Sequence, residues 1–264
     1  MRCFLESRII GKKILKVSTV NEKLRYKVPS NLNLSLQNLI ITKILRRGKY
    51  LILFFKESKL CLLIHLGMTG YFRLSDELVE KKHDHVFFFL KKEILIFNDI
   101  RKFGFIKIYC VNEIFFSSHL TNMGVEPLST NFNLNYFNSF RKRTVDLKGL
   151  LMNQSFIAGL GNIYCSEILF DARLSPLRKI NSLNNLEIRN IVKSTKKILK
   201  RAISSGGTTI KNFIVSEEKI GYFKNKLKVY SRDKKNCFRC VKGILIKKIR
   251  QSGRSTFFCE KCQK

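Results

Sequence analysis

Four cysteines near the end of the chain form two Cys-x2-Cys pairs, Cys237 with Cys240 and Cys259 with Cys262. The two residues between paired cysteines let both thiolates bind one tetrahedral zinc ion at about 2.3 Å. Residues 241–258 have the pattern of a β-hairpin, which would bring the second pair beside the first. We therefore predict one structural zinc ion. Two disulfides are the alternative, but the basic chain has no signal peptide and should lie in a reducing cytoplasm.

The predicted zinc hairpin is strongly basic. Its two apolar-rich stretches, 244–249 and 255–259, lie on either side of a turn at 251–253. The hairpin contains five cations, Lys242, Lys247, Lys248, Arg250 and Arg254. Zinc binding would therefore fix a loop that presents positive charge.

The charge of the whole chain indicates a polyanionic partner. The 264 residues carry a formal net charge of +32, and Lys and Arg that neutralise phosphates release condensed counterions. Nucleic acid is therefore the expected ligand, although the abundance of Lys, Ile, Asn and Phe could also reflect an AT-biased genome. The composition, 45% hydrophobic with 22 Phe, supports a folded core in one large or two modest domains.

The sequence also predicts where the protein is located. No apolar run approaches the roughly 18 residues of a membrane span, and the N-terminus does not resemble a signal peptide. We predict a cytoplasmic protein with no membrane partner. The cysteines outside the two pairs stand in apolar surroundings, and we expect them to be buried packing residues. They are Cys3, Cys61, Cys110 and Cys165.

Two different periodicities divide the chain. Short apolar runs separated by turns predict a β-sandwich or barrel in the first half. These runs are 39–45, 50–55, 60–65, 71–74, 85–90, 94–98 and 105–109. After about residue 112 the apolar residues recur with helical spacing, as at Cys165, Ile168, Leu169 and Ala172. A second helix should begin at a capping pair, Asn184 and Glu187, and end before Gly206-Gly207.

Two segments have the composition of ligand-binding loops. The turn 159–162 contains two glycines before a predicted helix, so that Asn162 could donate to a phosphate near the positive helix end. An ordinary helix-helix turn is the alternative. The loop 98–104 places Arg101 beside Phe103, a pair suited to entering a base stack, although Phe103 could instead lie in the core. In the segment 81–85 two histidines precede a strand, where phosphate binding or a solvated turn is favoured over a metal site.

These motifs together resemble the formamidopyrimidine-DNA glycosylases, bacterial enzymes that excise oxidised purines such as 8-oxoguanine and then nick the abasic strand. The resemblance extends over nearly the whole chain. It rests on Arg46-Arg47-Gly48-Lys49-Tyr50-Leu51, His65-Leu66-Gly67-Met68-Thr69-Gly70, Lys82-His83-Asp84-His85, 98–104, 159–167, Gly206-Gly207-Thr208-Thr209, Gly221-Tyr222-Phe223 and Arg254-Ser255-Thr256-Phe257-Phe258-Cys259. The endonuclease VIII-like enzymes share the architecture, but the segments 159–167 and 221–223 are closer to the oxidised-purine branch.

The resemblance implies an α+β multidomain fold with three parts. These would be a β-sandwich at 1–112, a helix-two-turn-helix domain at 113–225 and a zinc-finger hairpin at 226–264. The implied partner is double-stranded DNA that contains oxidised bases or abasic sites. A monomer with no obligate protein partner, associated with the bacterial nucleoid, is expected.

The resemblance also implies roles for individual residues. Lys49 would transfer a proton in β-elimination, and Arg254 would assist δ-elimination while binding phosphates. His83, Arg101, Arg143, Lys148 and Asn162 would contact DNA. Met68, Arg101 and Phe103 would fill the gap that a flipped base leaves in the stack. The loop 216–222, with Tyr222, would cover that base.

The start of the chain departs from the family pattern. The family begins with Pro-Glu-Leu-Pro-Glu-Val-Glu, whose proline amine attacks the sugar C1′ while the adjacent glutamate opens the ring. Aligned on Gly11-Lys12, this chain begins about nine residues later, and Glu6 should face solvent. We expect either a misassigned start codon or a DNA-binding remnant that recognises damage without cutting. A zinc-hairpin RNA-binding protein would not account for the loop 98–104. Smaller departures are Ile100 for Pro, Lys102 for Arg and Gly149 for Pro.

Overall fold

The computed structural model describes residues 1–207 and 223–264. These residues fall into two compact units. The first contains Met1–Thr121, and the second contains Asn122–Ser205 and Phe223–Lys264. Tyr222 and the predicted covering loop lie outside the described residues.

The first unit is a sandwich of two four-stranded antiparallel sheets. One sheet has the order β1-β6-β7-β5 and the other β2-β3-β4-β8. The elements are α1 (Arg2–Ile9), β1 (Lys16–Thr19), α2 (Leu32–Leu36), β2 (Ile41–Arg47), β3 (Tyr50–Phe55), β4 (Leu60–His65), β5 (Tyr71–Ser75), β6 (Asp84–Phe89), β7 (Ile94–Asn98) and β8 (Phe105–Cys110). The predicted β-sandwich is confirmed, and each of the seven apolar runs forms a strand.

The core of the sandwich lies between the two sheets. Leu62 and Ile106 from one sheet and Phe72 and Phe97 from the other are at most 1% exposed and belong to a single apolar cluster. Helix α1 adds its buried side chains to this cluster, while Glu6 on the same helix pairs with Arg2 and is partly exposed. Packing across the two inner faces is therefore what holds the strands in register.

The second unit combines helices with a β-hairpin. Its elements are α3 (Leu134–Asn138), α4 (Leu147–Met152), α5 (Asn162–Ala172), α6 (Asn185–Ser204), β9 (Lys247–Gln251) and β10 (Arg254–Phe258). The predicted apolar face of α5 is buried. Helix α6 begins with the predicted capping box, in which the Glu187 amide donates to Asn184 Oδ1 over 2.9 Å and the Asn184 amide donates to Glu187 Oε2 over 2.8 Å.

The prediction for the four isolated cysteines is only half right. Cys61 and Cys165 are buried, but Cys3 and Cys110 are exposed. Cys3 lies on the face of α1 opposite its buried residues, and Cys110 ends the edge strand β8, where the burial pattern runs out to solvent. Apolar neighbours in the sequence therefore did not determine which face of the element each cysteine occupies.

Among the described helices, none has the length and apolar character needed to cross a membrane.

Candidate functional site

The four paired cysteines form a metal-binding geometry. All four Sγ atoms lie within 4.8 Å of one another. The separations are 3.9 Å between Cys237 and Cys262 and 3.7 Å between Cys240 and Cys259. A tetrahedral zinc ion with bonds of about 2.3 Å requires sulfur separations of about 3.8 Å. The thiolates therefore fit one structural zinc ion, and the four cysteines are free rather than joined in disulfides.

The zinc site supports the basic hairpin of β9 and β10. Gln251 pairs with Arg254 across a two-residue turn, with Ser252 and Gly253 both at positive φ. Phe257 packs beside Cys259 in a small apolar cluster, whereas Arg254 at the turn is exposed. The first strand begins at Lys247, later than the apolar stretch 244–249 suggested, because the backbone of Ile244 and Ile246 is hydrogen-bonded to residues 234–237 instead.

Two of the predicted DNA-contacting residues hold the hairpin. Lys148 of α4 donates to Thr256 Oγ1 over 2.5 Å, and Asn162 of α5 donates through Nδ2 to the Ser255 carbonyl over 2.8 Å. Lys148 is only 3% exposed, and burial lowers the pKa of its amine. The second strand of the hairpin is thus fixed by side chains of both α4 and α5.

The turn between α4 and α5 has the predicted form. Helix α4 ends at Met152, and α5 starts at Asn162, after Gly159 and Gly161. Gln154 closes this turn, because its side chain accepts from the Gly159 amide over 2.8 Å and donates to the Leu160 carbonyl over 2.9 Å. Gly161 caps α5 without a side-chain hydrogen bond. A helix end of this kind favours an anionic ligand.

In the first unit, three predicted stack-filling residues come together. The Arg101 guanidinium lies 4.5 Å from the Phe103 ring centroid, and its Nη1 lies 3.4 Å from Met68 Sδ. Met68 is 56% exposed and Phe103 is 45% exposed. The alternative that Phe103 lies in the core is therefore wrong. We call these three side chains the wedge cluster.

His83 lies beside a pocket lined by several cations. The pocket has a volume of about 380 Å³, and its lining includes Lys81, Lys82 and Lys102. The neighbouring His85 is buried and contacts the Asp99 carbonyl through Nε2 over 2.8 Å. The two histidines thus have different environments. Within 1–207 and 223–264, the cysteine cluster is the one group arranged to hold a metal ion.

The turn that carries His83 is supported by a buried ion pair. Arg73 and Asp84 are each 3% exposed and approach to 2.5 Å. The Asp84 carboxylate also accepts from the Lys81 amide and from Asn98 Nδ2, each over 2.8 Å. Sequence reasoning missed this support. The only local signal was an arginine inside an apolar strand.

Lys49 is exposed on the turn between β2 and β3, after Gly48 at positive φ. Burial lowers the pKa of His65 to about 4, and the positive charges of Lys49 and Arg25 contribute to this lowering. His65 Nδ1 accepts from the Gly67 amide over 3.0 Å. A neutral imidazole therefore lies between the lysine turn and the turn that carries Met68.

We expect His65 to make stability depend on pH. The pKa of His65 in the folded protein lies below its ordinary value of about 6.5, so this histidine does not lower the free energy of unfolding above that pH. The free energy of unfolding decreases as the pH falls toward 4, because His65 binds a proton more tightly in the unfolded chain than in the folded protein. His65→Asn retains an acceptor for Gly67 and should lose less thermal stability than the parent between about pH 7.5 and pH 5. An identical loss in both proteins would contradict this assignment.

Arg143 lies between α3 and α4. Its side chain is exposed, and the guanidinium lies 4.7 Å from the Phe140 ring centroid.

Sequence reasoning also missed Glu167 of α5. Its buried carboxylate accepts from the amides of Lys228, Val229 and Tyr230, each over 2.9 Å. A glutamate within an otherwise apolar helical stretch was the available signal.

Three family models match the chain. The N-terminal domain of formamidopyrimidine-DNA glycosylase matches residues 1–106, and the H2TH domain of the same enzymes matches residues 123–214. The zinc finger found in FPG and IleRS matches residues 243–264. These matches follow the β-sandwich, the helices and the cysteine hairpin in chain order.

Relatives and solved structures agree with these models. The chain is 43% identical over 263 residues to the formamidopyrimidine-DNA glycosylase of Rickettsia bellii, covering 98% of this chain and 95% of the relative. It is 36% identical to that of Bartonella quintana, covering 98% and 96%. The structure of Lactococcus lactis Fpg with DNA containing an abasic site matches with a TM-score of 0.91 and 33% identity, covering 100% and 96%. A mutant of that protein, in complex with DNA containing Fapy-dG, matches over the same shares with a TM-score of 0.90 and 33% identity.

The fold, the zinc site and these likenesses define a DNA glycosylase of base excision repair. Within that class, the chain belongs to the formamidopyrimidine-DNA glycosylase family.

Proposed function

We propose that the protein excises oxidised purines from duplex DNA and then cleaves the abasic strand by β,δ-elimination. The wedge cluster carries the proposal. An enzyme that acts on a base inside a duplex extrudes the nucleotide and has to stabilise the disrupted stack. Met68, Arg101 and Phe103 together supply an apolar surface, an aromatic ring and a guanidinium that can pair with the orphaned base.

The proposed elimination steps use two exposed cations. Lys49 would move a proton during β-elimination, since its amine is carried on a short turn with an exposed side chain. Arg254 would bind the phosphates of the lesion and assist δ-elimination from the hairpin turn. A guanidinium suits this position because it can donate two parallel hydrogen bonds to phosphate oxygens.

The remaining predicted contacts would hold the DNA backbone. His83 and Arg143 have side chains that are at least partly exposed and could reach phosphates directly. Lys148 and Asn162 would act where α4 and α5 meet the hairpin, since both already bind strand β10, which begins at Arg254. Tyr222 is proposed for the covered base on the family resemblance alone.

Excision assays on defined duplexes test the proposed substrate class. The proposal predicts that the form preceded by the family's Pro-Glu-Leu-Pro-Glu-Val-Glu segment releases 8-oxoguanine and leaves a nick with phosphate at both ends, with little release of an oxidised pyrimidine from a matched duplex. Preference for the oxidised pyrimidine would support the endonuclease VIII-like alternative. Tight binding without release of either base would support a damage-binding protein.

Arg254→Ala should separate hairpin chemistry from hairpin folding. We expect weaker binding to an abasic duplex and a stalled δ-elimination, with zinc content and thermal stability unchanged, because Arg254 is exposed and is not a zinc ligand. The matched control is Arg250→Ala, which removes an exposed arginine from the neighbouring strand. Loss of zinc in Arg254→Ala, or an equal loss of δ-elimination in the control, would contradict the assigned role.

A further inference from the structure

Two connections of the sandwich meet beneath the wedge cluster. The turn 66–70 leads from β4 to β5, and the loop 99–104 leads from β7 to β8, so each connection crosses from one sheet to the other. The strand pairs that precede and follow them bring them together, since Tyr71 is opposite Asn98 and His65 is opposite Phe105. Met68 is carried by the first connection, and Arg101 and Phe103 are carried by the second.

A buried carboxylate joins these two connections. Asp99 is 0% exposed, and its Oδ1 accepts from Thr69 Oγ1 over 2.5 Å and from the Arg101 amide over 3.3 Å. Its Oδ2 accepts from the Gly104 amide over 2.7 Å. Thr69 Oγ1 itself accepts from the Arg101 amide over 3.1 Å. The aspartate and the threonine hydroxyl thus link the backbone on both sides of Phe103 to the turn that carries Met68.

The two backbones are also in direct contact. Gly67 adopts a φ of +66°, and a Cβ placed on it would lie 2.6 Å from the Gly104 nitrogen and 2.7 Å from the Phe103 carbonyl carbon. Such distances are shorter than van der Waals contact allows. The absence of a side chain at Gly67 therefore lets the hydrogen bonds of Asp99 close the gap between the two connections.

We propose that Asp99 is a positioning residue that fixes the wedge cluster as one preformed surface before DNA binds. The inference rests on the proposed function of that cluster. Burying a carboxylate is costly unless donors satisfy it, and here the donors come from both connections. Side chains held in the bound geometry lose less conformational entropy on binding. Asp99 would thereby increase selectivity for a disrupted stack without touching the DNA.

Binding measurements with Thr69 variants test this inference. The observable is the ratio of the dissociation constants for an undamaged duplex and for the same duplex with a tetrahydrofuran abasic analogue. Thr69→Val keeps the volume but removes the hydroxyl that links Asp99 and the Arg101 amide to the turn that carries Met68, and the ratio should fall by about tenfold. Thr69→Ser restores the hydroxyl and should stay within about twofold of the parent. Binding to the undamaged duplex serves as the baseline.

A second readout reports the wedge cluster without DNA. The chain contains no tryptophan, so that Phe103→Trp introduces a single indole, which can be excited selectively at wavelengths where tyrosine does not absorb. Adding Thr69→Val to this protein should increase local motion of the indole in time-resolved anisotropy. A purely stabilising role for the buried network would instead lower the melting temperature and leave the probe's motion and the binding ratio unchanged.

The outcomes distinguish the role of Asp99 from the function of the wedge cluster itself. If Phe103→Ala lowers the binding ratio but Thr69→Val changes neither the ratio nor the indole motion, the role of Asp99 is overturned and the wedge function stands. If Phe103→Ala leaves the ratio unchanged, the wedge function fails, and the indole motion still decides whether Asp99 fixes the cluster.

Discussion

Replacement of Cys259 by serine is expected to remove zinc and to abolish tight binding to lesion-containing DNA, with a loss of about a hundredfold or more. The reason is the small size of the hairpin's apolar cluster, which includes two of the zinc ligands, Cys237 and Cys259, among its buried members. Without the metal, β9 and β10 should lose their order, and the exposed Arg254 should lose its fixed position.

The helical part of the second unit should survive this change. Its core, which includes Phe156, Leu169 and Ile191, is a cluster separate from that of the hairpin. We therefore expect the far-ultraviolet circular dichroism spectrum to retain its helical signal. Zinc analysis should detect no bound zinc, and anisotropy should detect no tight binding to DNA. The control is Cys110→Ser, which alters an exposed cysteine and should change none of these. Full lesion binding by a zinc-free Cys259→Ser protein would contradict the assigned role of the metal.

Breaking the Arg73–Asp84 pair is expected to have the largest effect on the stability of the β-sandwich. Arg73→Met leaves the Asp84 carboxylate buried without its charge partner, which costs about 3–5 kcal/mol. Since Asp84 also accepts from the Lys81 amide, the turn that carries His83 should lose its fixed form. Chemical denaturation measures the first effect, and affinity for duplex DNA measures the second.

An exposed ion pair provides the matched control for this experiment. Lys27 and Glu22 lie 3.2 Å apart, with their side chains 73% and 52% exposed. Solvent screens such a pair, so Lys27→Ala should change the free energy of unfolding by less than about 1 kcal/mol. A comparable loss in both variants, or a loss below about 1 kcal/mol in Arg73→Met, would show that the buried pair does not stabilise the sandwich.

Local patterns in the sequence were enough to predict most of the elements. The apolar runs predicted strands because a sandwich strand has to bury at least one face, and the capping box at Asn184 is a local hydrogen-bond pattern. The zinc site could be predicted from the spacing of its cysteines, which is likewise a local pattern. Strand β1, with only four residues, was too short to show a period.

The supporting network of the site could not be predicted in this way. Asp99 meets Thr69, and Lys148 meets Thr256, across separations in the chain that only the folded topology closes. Sequence spacing reports which residues share one helix or strand face, whereas these contacts depend on which connections meet. The exposure of Cys3 and Cys110 was predicted wrongly for a different reason, because apolar neighbours in the sequence do not determine on which face of its element a cysteine lies.

Borohydride trapping tests most directly whether this protein acts as a glycosylase that also cleaves the strand. The printed chain, and a form preceded by the family's Pro-Glu-Leu-Pro-Glu-Val-Glu segment, would each be incubated with an 8-oxoguanine duplex and reduced. We predict a covalent protein–DNA product with the extended form, because the resemblance implies that the proline amine of that segment forms an imine with the opened sugar. If neither form gives a trapped product although binding is tight and lesion-selective, this prediction is contradicted. The protein would then recognise damage without cutting.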